Sequence, residues 1–510
     1  MRSFSPQTSR LWGDATLFLL PILALGVFFR VYALGGRDLW TDEAWLALAA
    51  LTTTPGEALA ARQSTPPLFT LTLWAAAHLW GGSETVLRAL PCFFGIGALT
   101  LFWPLARLLA TPAAALMGVA IMALSPIMVY FAKELKQYSG DAFFTVLALL
   151  LVERLRARQG ERGWLALTVT GILGLGFSHP LIFTLPVAAA VLWFSLPGRQ
   201  KPRVAYLALA WGLAFGVYYF LFFRHDVDPD LVIYWGQDFP NFSGPWALVV
   251  WLGGALSRYL VYFLGEWGFY WGPPLMLVGL GALARQGHGL ALVYFGGQLL
   301  MALTAAALHR YPFMAHYGGS SLMLFSAPLF YLVIATGLTT IFGWLLHQRQ
   351  RVLAAALAVL LLLAIQPIEM LKENLHPTHN REEIQPLVAH LEKELKPQDL
   401  VYVYYHAIKP YTYYARKPPG RLCYGKSCVE TALQVPEAGP SPPQRLWLLA
   451  SHIPSMEYMR EFAEKLLGPQ WREAACLTRV GAVLFRFDRQ GPETASNPPP
   501  DPPTPSVSAP

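Results

Sequence analysis

Residues Leu17–Leu34, LFLLPILALGVFFRVYAL, form an apolar run whose single charged residue is Arg30. A run of about 18 to 25 apolar residues is long enough to cross a hydrocarbon core of roughly 30 Å. Runs of this kind follow one another through the first three quarters of the 510-residue chain. Only 14% of the residues are charged, which is low for a soluble domain. The sequence therefore predicts a multi-span α-helical membrane protein.

The basic residues lie in short clusters between the apolar runs, which is the positive-inside pattern of membrane proteins. This distribution argues against nucleic-acid binding, despite a net charge of +7. The first run lacks an obvious small-residue cleavage site, so we expect a retained helix. Placing the basic clusters in the cytoplasm predicts about eleven transmembrane helices, with the N-terminus inside and the C-terminus outside. These fall near residues 15–34, 86–107, 113–131, 142–154, 164–178, 181–196, 204–223, 268–284, 289–308, 320–345 and 352–368.

Two further hydrophobic stretches do not fit as spans in this scheme. Pro67–Trp80 is short and begins with two prolines, and Trp246–Leu264 is interrupted by Arg258. We expect both to be helices along the outer membrane interface, where Trp and Tyr are favoured. The alternative for Trp246–Leu264 is a further span, which would move every later segment to the opposite side.

The charge density rises after about residue 370, where the apolar runs become shorter. We predict a transmembrane domain over 1–370, a small soluble α/β domain outside the membrane over 371–490, and a disordered Pro/Ser-rich tail over 491–510. In a periplasmic domain Cys423 and Cys428 can form a disulfide, although spacing alone does not fix connectivity. Residue patterns predict helices over Glu382–Leu395 and Met456–Leu467, and strands over Asp399–Tyr405, Leu446–Ala450 and Ala482–Phe487.

Two adjacent carboxylates, Asp42 and Glu43, follow the first helix between Trp40 and Trp45. A hydroxyl group becomes a good nucleophile when a carboxylate accepts its proton. If the leaving group is a polyprenyl phosphate, it departs as a stabilised anion, so that one base suffices and the anomeric carbon inverts. The alternative is an exposed acidic loop with tryptophan anchors.

A second group of polar residues, 130–141, joins two predicted spans on the outer face. Lys133 and Lys136 are candidates for holding a phosphate, because positive charge is disfavoured on that side without a function, and Tyr138 in the same segment is a further candidate. Asp141 is a candidate for sharing a divalent cation with the carboxylates of the first loop. Taken singly, each lysine can also be an interfacial residue whose charged end reaches water.

Two more outer helix ends carry candidate residues. Arg310 can bind a phosphate through two parallel hydrogen bonds, or it is an ordinary interfacial arginine. His179 is a candidate ligand, with Asp42 and Asp141, of a divalent metal cation; a packing or capping histidine is the alternative.

Taken in order, these segments closely resemble the bacterial dolichyl-phosphate-mannose protein mannosyltransferase-like family, which is related to the aminoarabinose lipid A transferase. The family belongs to the type C (GT-C) glycosyltransferase superfamily. The likeness covers about the first 200 residues. It rests on Trp40-Thr41-Asp42-Glu43-Ala44, Gln63–Leu68, Leu79–Glu84 with Arg88–Pro91, Leu124-Ser125-Pro126 and Lys133–Tyr138.

The resemblance implies a membrane glycosyltransferase that takes a monosaccharide from a polyprenyl-phosphate donor on the periplasmic face of a bacterial inner membrane. It implies a base on Asp42, supported by Glu43, and it places Asp141 where the family has its second-loop acid. The acceptor can be a lipid, a glycan or a protein. The sequence departs from the family pattern at Thr65, where His is frequent, and at Lys136, where Arg is frequent; Lys keeps the charge but not the planar fork.

A transporter or flippase of lipid-linked sugars is the alternative function. Transporters place polar residues near the bilayer midplane on broken helices. The predicted spans are almost free of charge, whereas the charged residues collect at one membrane face. That distribution favours catalysis at the interface. An anchored receptor or scaffold is less favoured, since eleven spans exceed what an anchor requires.

Overall fold

The computed structural model describes residues 6–158, 160–226, 233–313, 319–365, 367–375, 381–416, 421–425, 427–428 and 443–490. The chain divides into two compact units. The first comprises Met1–Gly36 with Leu46–His379, and the second comprises Arg37–Trp45 with Asn380–Pro510. The predicted disordered tail over 491–510 lies outside the described residues.

The described part of the chain is mostly helical. Its α-helices, in chain order, are α1 Pro6–Val31, α2 Thr41–Ala50, α3 Pro55–Ala60, α4 Pro67–Trp80, α5 Glu84–Leu109, α6 Pro112–Leu124, α7 Pro126–Ala132, α8 Tyr138–Ala157, α9 Glu161–Phe177, α10 Leu181–Ser195, α11 Lys201–Leu221, α12 Pro245–Leu264, α13 Gly268–Arg285, α14 Gly289–Ala307, α15 Ala327–His347, α16 Arg351–Ile365, α17 Pro367–Leu375, α18 Gln385–Glu394, α19 Ile408–Tyr414 and α20 Met456–Leu467.

Five helical segments of the described residues are long and apolar enough to cross a membrane, or six if the bent pair α6–α7 forms one span. The five are Glu84–Leu109, Gly198–Leu221, Pro245–Leu264, Gly289–Ala307 and Ser321–His347. A helix is present at each of the eleven predicted positions, but several are shorter or carry charge at their ends. The multi-span helical prediction is confirmed, whereas length and composition alone support fewer spans than eleven.

The interfacial stretch expected over Trp246–Leu264 forms α12, which is 20 residues long. Its length and apolar composition meet the requirement for a span, so the structure agrees with the alternative as well as with an interfacial helix. The other expected interfacial stretch, Pro67–Trp80, forms the 14-residue helix α4.

The predicted helix over 113–131 is divided at Ser125-Pro126, where α6 and α7 meet at a bend of 57°. Pro126 has no N–H to donate to the carbonyl of Met122, so the helix cannot continue unchanged. Arg30, which is fully buried, donates to the carbonyls of Met122 and Ala123 at 3.0 and 3.2 Å instead. The sequence did not predict this break, because the apolar run continues across it.

The second unit contains a five-stranded mixed sheet. The strands are β1 Leu400–Val403, β2 Arg421–Tyr424, β3 Arg445–Ser451, β4 Trp471–Arg479 and β5 Ala482–Arg489, in the order β2-β1-β3-β5-β4. Strand β1 is parallel to β2 and β3, whereas β5 is antiparallel to β3 and β4. Apolar residues of α20 cover one face, and those of α18 cover the other. The α/β prediction and its three strands are confirmed, while β2 and β4 were not predicted.

A buried ion pair between Asp399 and Arg445, with further hydrogen bonds to Asp399, joins the start of β1 to β3. Asp399, which is 3% exposed, accepts hydrogen bonds from Arg445, from the indole of Trp447 at 3.0 Å and from the backbone N–H of Lys396 at 3.0 Å. Burial alone would raise the pKa of Asp399, but these hydrogen bonds and the charge of Arg445 outweigh it and lower the pKa. The predicted disulfide between Cys423 and Cys428 is present next to β2.

Candidate active site

The carboxylates of the first loop lie in the first turn of α2, which begins at Thr41. The backbone N–H groups at a helix N-terminus favour negative charge nearby. Asp42 is half-buried, and Glu43 is 1% exposed. The local sequence therefore holds both acids at a defined helix end rather than on a loose acidic loop.

Two histidines of the second unit lie close enough to Asp42 for their charges to interact. The hydrogen bond to Glu382 raises the pKa of His452, against the effect of burial, and the charge of Asp42 acts in the same direction. Burial and His452 lower the pKa of His406, and Asp42 opposes them. The two imidazole rings are 4.9 Å apart. Neither histidine could be found from a local motif, since each lies more than three hundred residues from Asp42.

The predicted phosphate-binding residues of the second loop lie in the first unit, at the turn between α7 and α8. Lys133 and Lys136 are each 8% exposed, and Tyr138 begins α8 with its ring 5.1 Å from Phe131. Buried lysines are rare unless an anionic group compensates their charge. Burial of both lysines in one turn is consistent with an anion-binding role, which stays a prediction.

Asp141 is 1% exposed and lies in the first turn of α8. Its Oδ1 atom, like Oε1 of Gln137, is buried and has no hydrogen-bond partner among the described residues. Tyr311 lies near enough to Asp141 to interact with its charge. The hydroxyl of Tyr311 donates a hydrogen bond to the carbonyl of Leu322 at 2.7 Å. The neighbouring Arg310, a candidate phosphate ligand with an interfacial arginine as the alternative, is exposed. Sequence analysis therefore singled out Arg310, whereas the structure brings Tyr311 close to Asp141.

His179 lies in the loop between α9 and α10, with its ring 4.5 Å from Phe223 in an edge-to-face contact. Its Nε2 atom is buried and unpartnered within the described ranges. Burial, followed by the nearby positive charge of Arg62, lowers the pKa of His179 to about 3, so the imidazole is neutral. A neutral imidazole can accept a hydrogen bond or bind a metal.

Arg62 fixes the loop that precedes α4 and was missed by sequence analysis. Its guanidinium forms two parallel bonds to Asp226, at 2.8 and 2.9 Å, and further bonds to the carbonyls of Gln63 and Thr65. The guanidinium also lies 5.3 Å from the ring centre of Phe222. The loop that carries Thr65, where the family often has His, is thus held by an arginine in this chain.

The divalent-cation prediction was placed on Asp42, Asp141 and His179. Oδ1 of Asp141 and Nε2 of His179 have no partner in the described part of the chain. However, no group of three or more His, Cys, Asp or Glu side chains that can hold an ion is found across the described ranges. No step of the chemistry below is assigned to a metal.

Asp42 and Glu43 belong to one unit, whereas Asp141, Lys133, Lys136, Tyr138 and Arg310 belong to the other. Each set is ordered within its own unit. Their predicted convergence on one pocket stays a prediction.

Residues 64–222 match the family model of dolichyl-phosphate-mannose-protein mannosyltransferases. No curated protein matches the chain in sequence. The fold is similar to that of ArnT from Cupriavidus metallidurans in the apo state, with a TM-score of 0.53 and 11% identity over 94% of this chain and 98% of that one. For ArnT bound to undecaprenyl phosphate the TM-score is 0.50, with 12% identity over 93% and 98%.

A third similar structure is the apo oligosaccharyltransferase of Archaeoglobus fulgidus, with a TM-score of 0.51 and 12% identity over 95% of this chain and 75% of that one. At such identities these likenesses concern the fold alone. The family match covers the segment that carries Thr65, Lys133, Lys136 and Asp141. The predicted resemblance is thereby confirmed over residues 64–222, which are similar to the dolichyl-phosphate-mannose-protein mannosyltransferases, and the fold is similar to that of ArnT.

Proposed function

We propose that this protein transfers a monosaccharide from a polyprenyl phosphate to an acceptor on the periplasmic face of a bacterial inner membrane. The observation that carries the proposal is the pair Asp42 and Glu43, held in the first turn of α2 beside two histidines. ArnT, which shares the fold, has been solved with undecaprenyl phosphate bound, and this supports a polyprenyl phosphate as the donor carrier. The acceptor is a lipid, a glycan or a protein.

In the proposed reaction Asp42 accepts the proton of the acceptor hydroxyl, while Glu43 supports it. The acceptor oxygen then forms a bond to the anomeric carbon, and the bond from that carbon to the phosphate oxygen breaks. The electron pair of the broken bond leaves with the polyprenyl phosphate. Because there is one displacement, the anomeric carbon inverts its configuration.

The developing negative charge on the leaving phosphate needs cationic or hydrogen-bonding groups around it. We assign this role to Lys133, Lys136 and Tyr138, with Arg310 as a further phosphate ligand. The position of both lysines in the turn between α7 and α8, directly before Tyr138, supports placing the three side chains at one site. Asp141 is assigned to the same site, because its carboxylate lies on the helix that Tyr138 begins.

The same proposal includes about eleven spans, with the N-terminus in the cytoplasm and the 371–490 domain in the periplasm. Helices lie at all eleven predicted positions, although fewer than eleven are long and apolar enough to be identified as spans by length and composition alone. The disulfide between Cys423 and Cys428 supports an oxidising compartment for the C-terminal domain.

The test uses purified full-length protein in proteoliposomes with a radiolabelled polyprenyl-phosphate sugar and a membrane extract as acceptor source. The wild-type protein is expected to move label from the lipid to an acceptor. Asp42→Asn, which keeps the size of the side chain but not its basicity, is expected to abolish transfer at normal expression. Glu461→Gln, a change in an exposed surface pair with Lys465, is the matched control and should keep full transfer.

Full turnover by Asp42→Asn would show that the base is misplaced. A transporter gives a different result in the same vesicles, because label then reaches the opposite leaflet while it remains attached to the polyprenyl phosphate. That outcome would replace the transferase proposal.

A further inference from the structure

Two helix N-termini in the second unit cap each other. The backbone N–H of Thr41, which begins α2, donates to Oε2 of Glu382 at 3.2 Å. In return the backbone N–H of Gln385, which begins α18, donates to Oδ2 of Asp38 at 2.8 Å. The first N–H groups of a helix have no partner inside the helix, so a carboxylate from elsewhere in the chain satisfies them well. Each segment thus supplies the cap of the other.

Further bonds fix the same short segment in front of Asp42. The hydroxyl of Thr41 donates to the carbonyl of His406 at 2.8 Å, and its contact with Glu382 is longer, at 3.2 Å. The hydroxyl has one proton, so the carbonyl of His406 receives it. One residue before Trp40, the backbone N–H of Leu39 donates to the hydroxyl of Tyr414 at 2.7 Å.

The side chain of Trp40 is held between two further residues of the second unit. The guanidinium of Arg381 lies 4.4 Å from the ring centre, and the imidazole of His452 stacks on the same side chain at 6.2 Å. His452 also contacts Oε1 of Glu382 through Nδ1 at 2.9 Å. One oxygen of Glu382 therefore serves the α2 cap, and the other serves the histidine that packs on Trp40.

We propose that Glu382 is a positioning residue for Asp42, and that it sets the place of the catalytic carboxylate by capping α2 while bonded to His452. Glu382 is 1% exposed, so water does not compete for its two oxygens. Asp42 follows Thr41 directly and has the orientation that the first turn of α2 gives it. This inference rests on the proposed function of Asp42 as the base.

The expected effect of losing the cap lies in turnover rather than in donor binding. An error of about 1 Å in the place of a catalytic group can cost roughly a hundredfold in rate. The donor phosphate is assigned to residues of the first unit, so the KM for the donor is expected to stay unchanged. A purely structural cap predicts something else, namely less folded protein with wild-type kcat per folded molecule.

The experiment measures kcat and donor KM of purified full-length enzyme, normalised to the monodisperse folded fraction. Glu382→Ala is expected to lower kcat about 10- to 100-fold at constant KM. Glu382→Gln keeps an oxygen that can accept from the N–H of Thr41, so it should recover most of that loss. Glu461→Gln serves again as the control at an exposed acid.

If Glu382→Ala does not fold, Tyr414→Phe tests the same claim more gently. It removes only the hydroxyl that accepts from Leu39 and is expected to lower kcat several-fold at constant KM. Wild-type kcat per folded molecule in Glu382→Ala, or in Tyr414→Phe when the first does not fold, overturns the inference. Full turnover by Asp42→Asn overturns the proposed function instead, so the two failures are distinguishable.

Discussion

The change Asp399→Asn tests the ion pair between Asp399 and Arg445 that joins the start of β1 to β3. The carboxylate of Asp399 accepts from both Nε and Nη2 of Arg445, from Trp447 and from the backbone N–H of Lys396. An asparagine at this position offers one acceptor oxygen and one NH2 group. That NH2 group must face a donor, because every group around the carboxylate donates.

The magnitude follows from the burial of the two partners. Removing one partner of a buried ion pair costs about 3–5 kcal/mol. The side chain of Arg445 is 18% exposed, so water recovers part of its solvation. We therefore expect the local free energy of opening to fall by about 3 kcal/mol, the lower end of the range. That difference corresponds to a roughly 100-fold increase in the open population.

Amide hydrogen exchange followed by mass spectrometry measures this opening in the full-length protein in detergent. Peptides over β1 and β3 are expected to exchange about 100-fold faster in Asp399→Asn than in wild type. Glu473→Gln removes one partner of an exposed pair with Arg460 and should change exchange less than about tenfold. Unchanged exchange in Asp399→Asn would refute the claim that the ion pair between Asp399 and Arg445 stabilises the sheet.

Three further predictions concern other bonds of the described structure. Because the pKa of Asp399 is lowered in the folded state, its contribution to stability is present above the ordinary value of 3.8 and is lost as pH falls below that value. Exchange of β1, relative to the intrinsic rate at each pH, should therefore accelerate as pH falls below 3.8, and less so in Asp399→Asn. Asp226→Asn removes the negative charge and one of the two oxygens that pair with the guanidinium of Arg62, so the loop over 61–66 should open more readily by about 3 kcal/mol, and normal exchange there would contradict its anchoring role. Replacing Cys423 and Cys428 by Ser removes a short cross-link and should destabilise β2 by about 2 kcal/mol in the same measurement, with no effect on β5.

Much of the fold could be predicted from the sequence, because apolar run length is a direct signal for membrane helices. The break at Ser125-Pro126 escaped prediction, since a helix interrupted by proline and one that merely bends there have the same apolar pattern. Strand β4 was not predicted, because the register shift between Glu473 and Ala475 interrupts the alternation of apolar and polar residues that marks a strand. Strand β2 is only four residues long, which is too short for a clear pattern.

The candidate site was only partly readable from the sequence, for a different physical reason. Asp42 and Asp141 stand in motifs whose order along the chain resembles a known family, and such motifs are local. Glu382, His452 and Tyr414 meet the first-loop segment only through folding, and no spacing rule connects residues more than three hundred positions apart. The half-buried Tyr311, whose hydroxyl lies near Asp141, was passed over for Arg310 because the sequence marks charge but not the direction of a side chain.

The sequence predicts that Asp42 and Asp141 converge on one pocket at the periplasmic rim of the membrane, and the catalytic proposal depends on this prediction. Cross-linking of Asp42→Cys with Asp141→Cys by a short bis-maleimide in intact membranes, in a background that lacks Cys92 and Cys476, tests it. We expect a cross-link that is lost when either position keeps its aspartate and that forms only with reagent that reaches the periplasmic face. Convergence is disproved if no cross-link forms and a membrane-impermeant thiol reagent reaches the two positions from opposite faces.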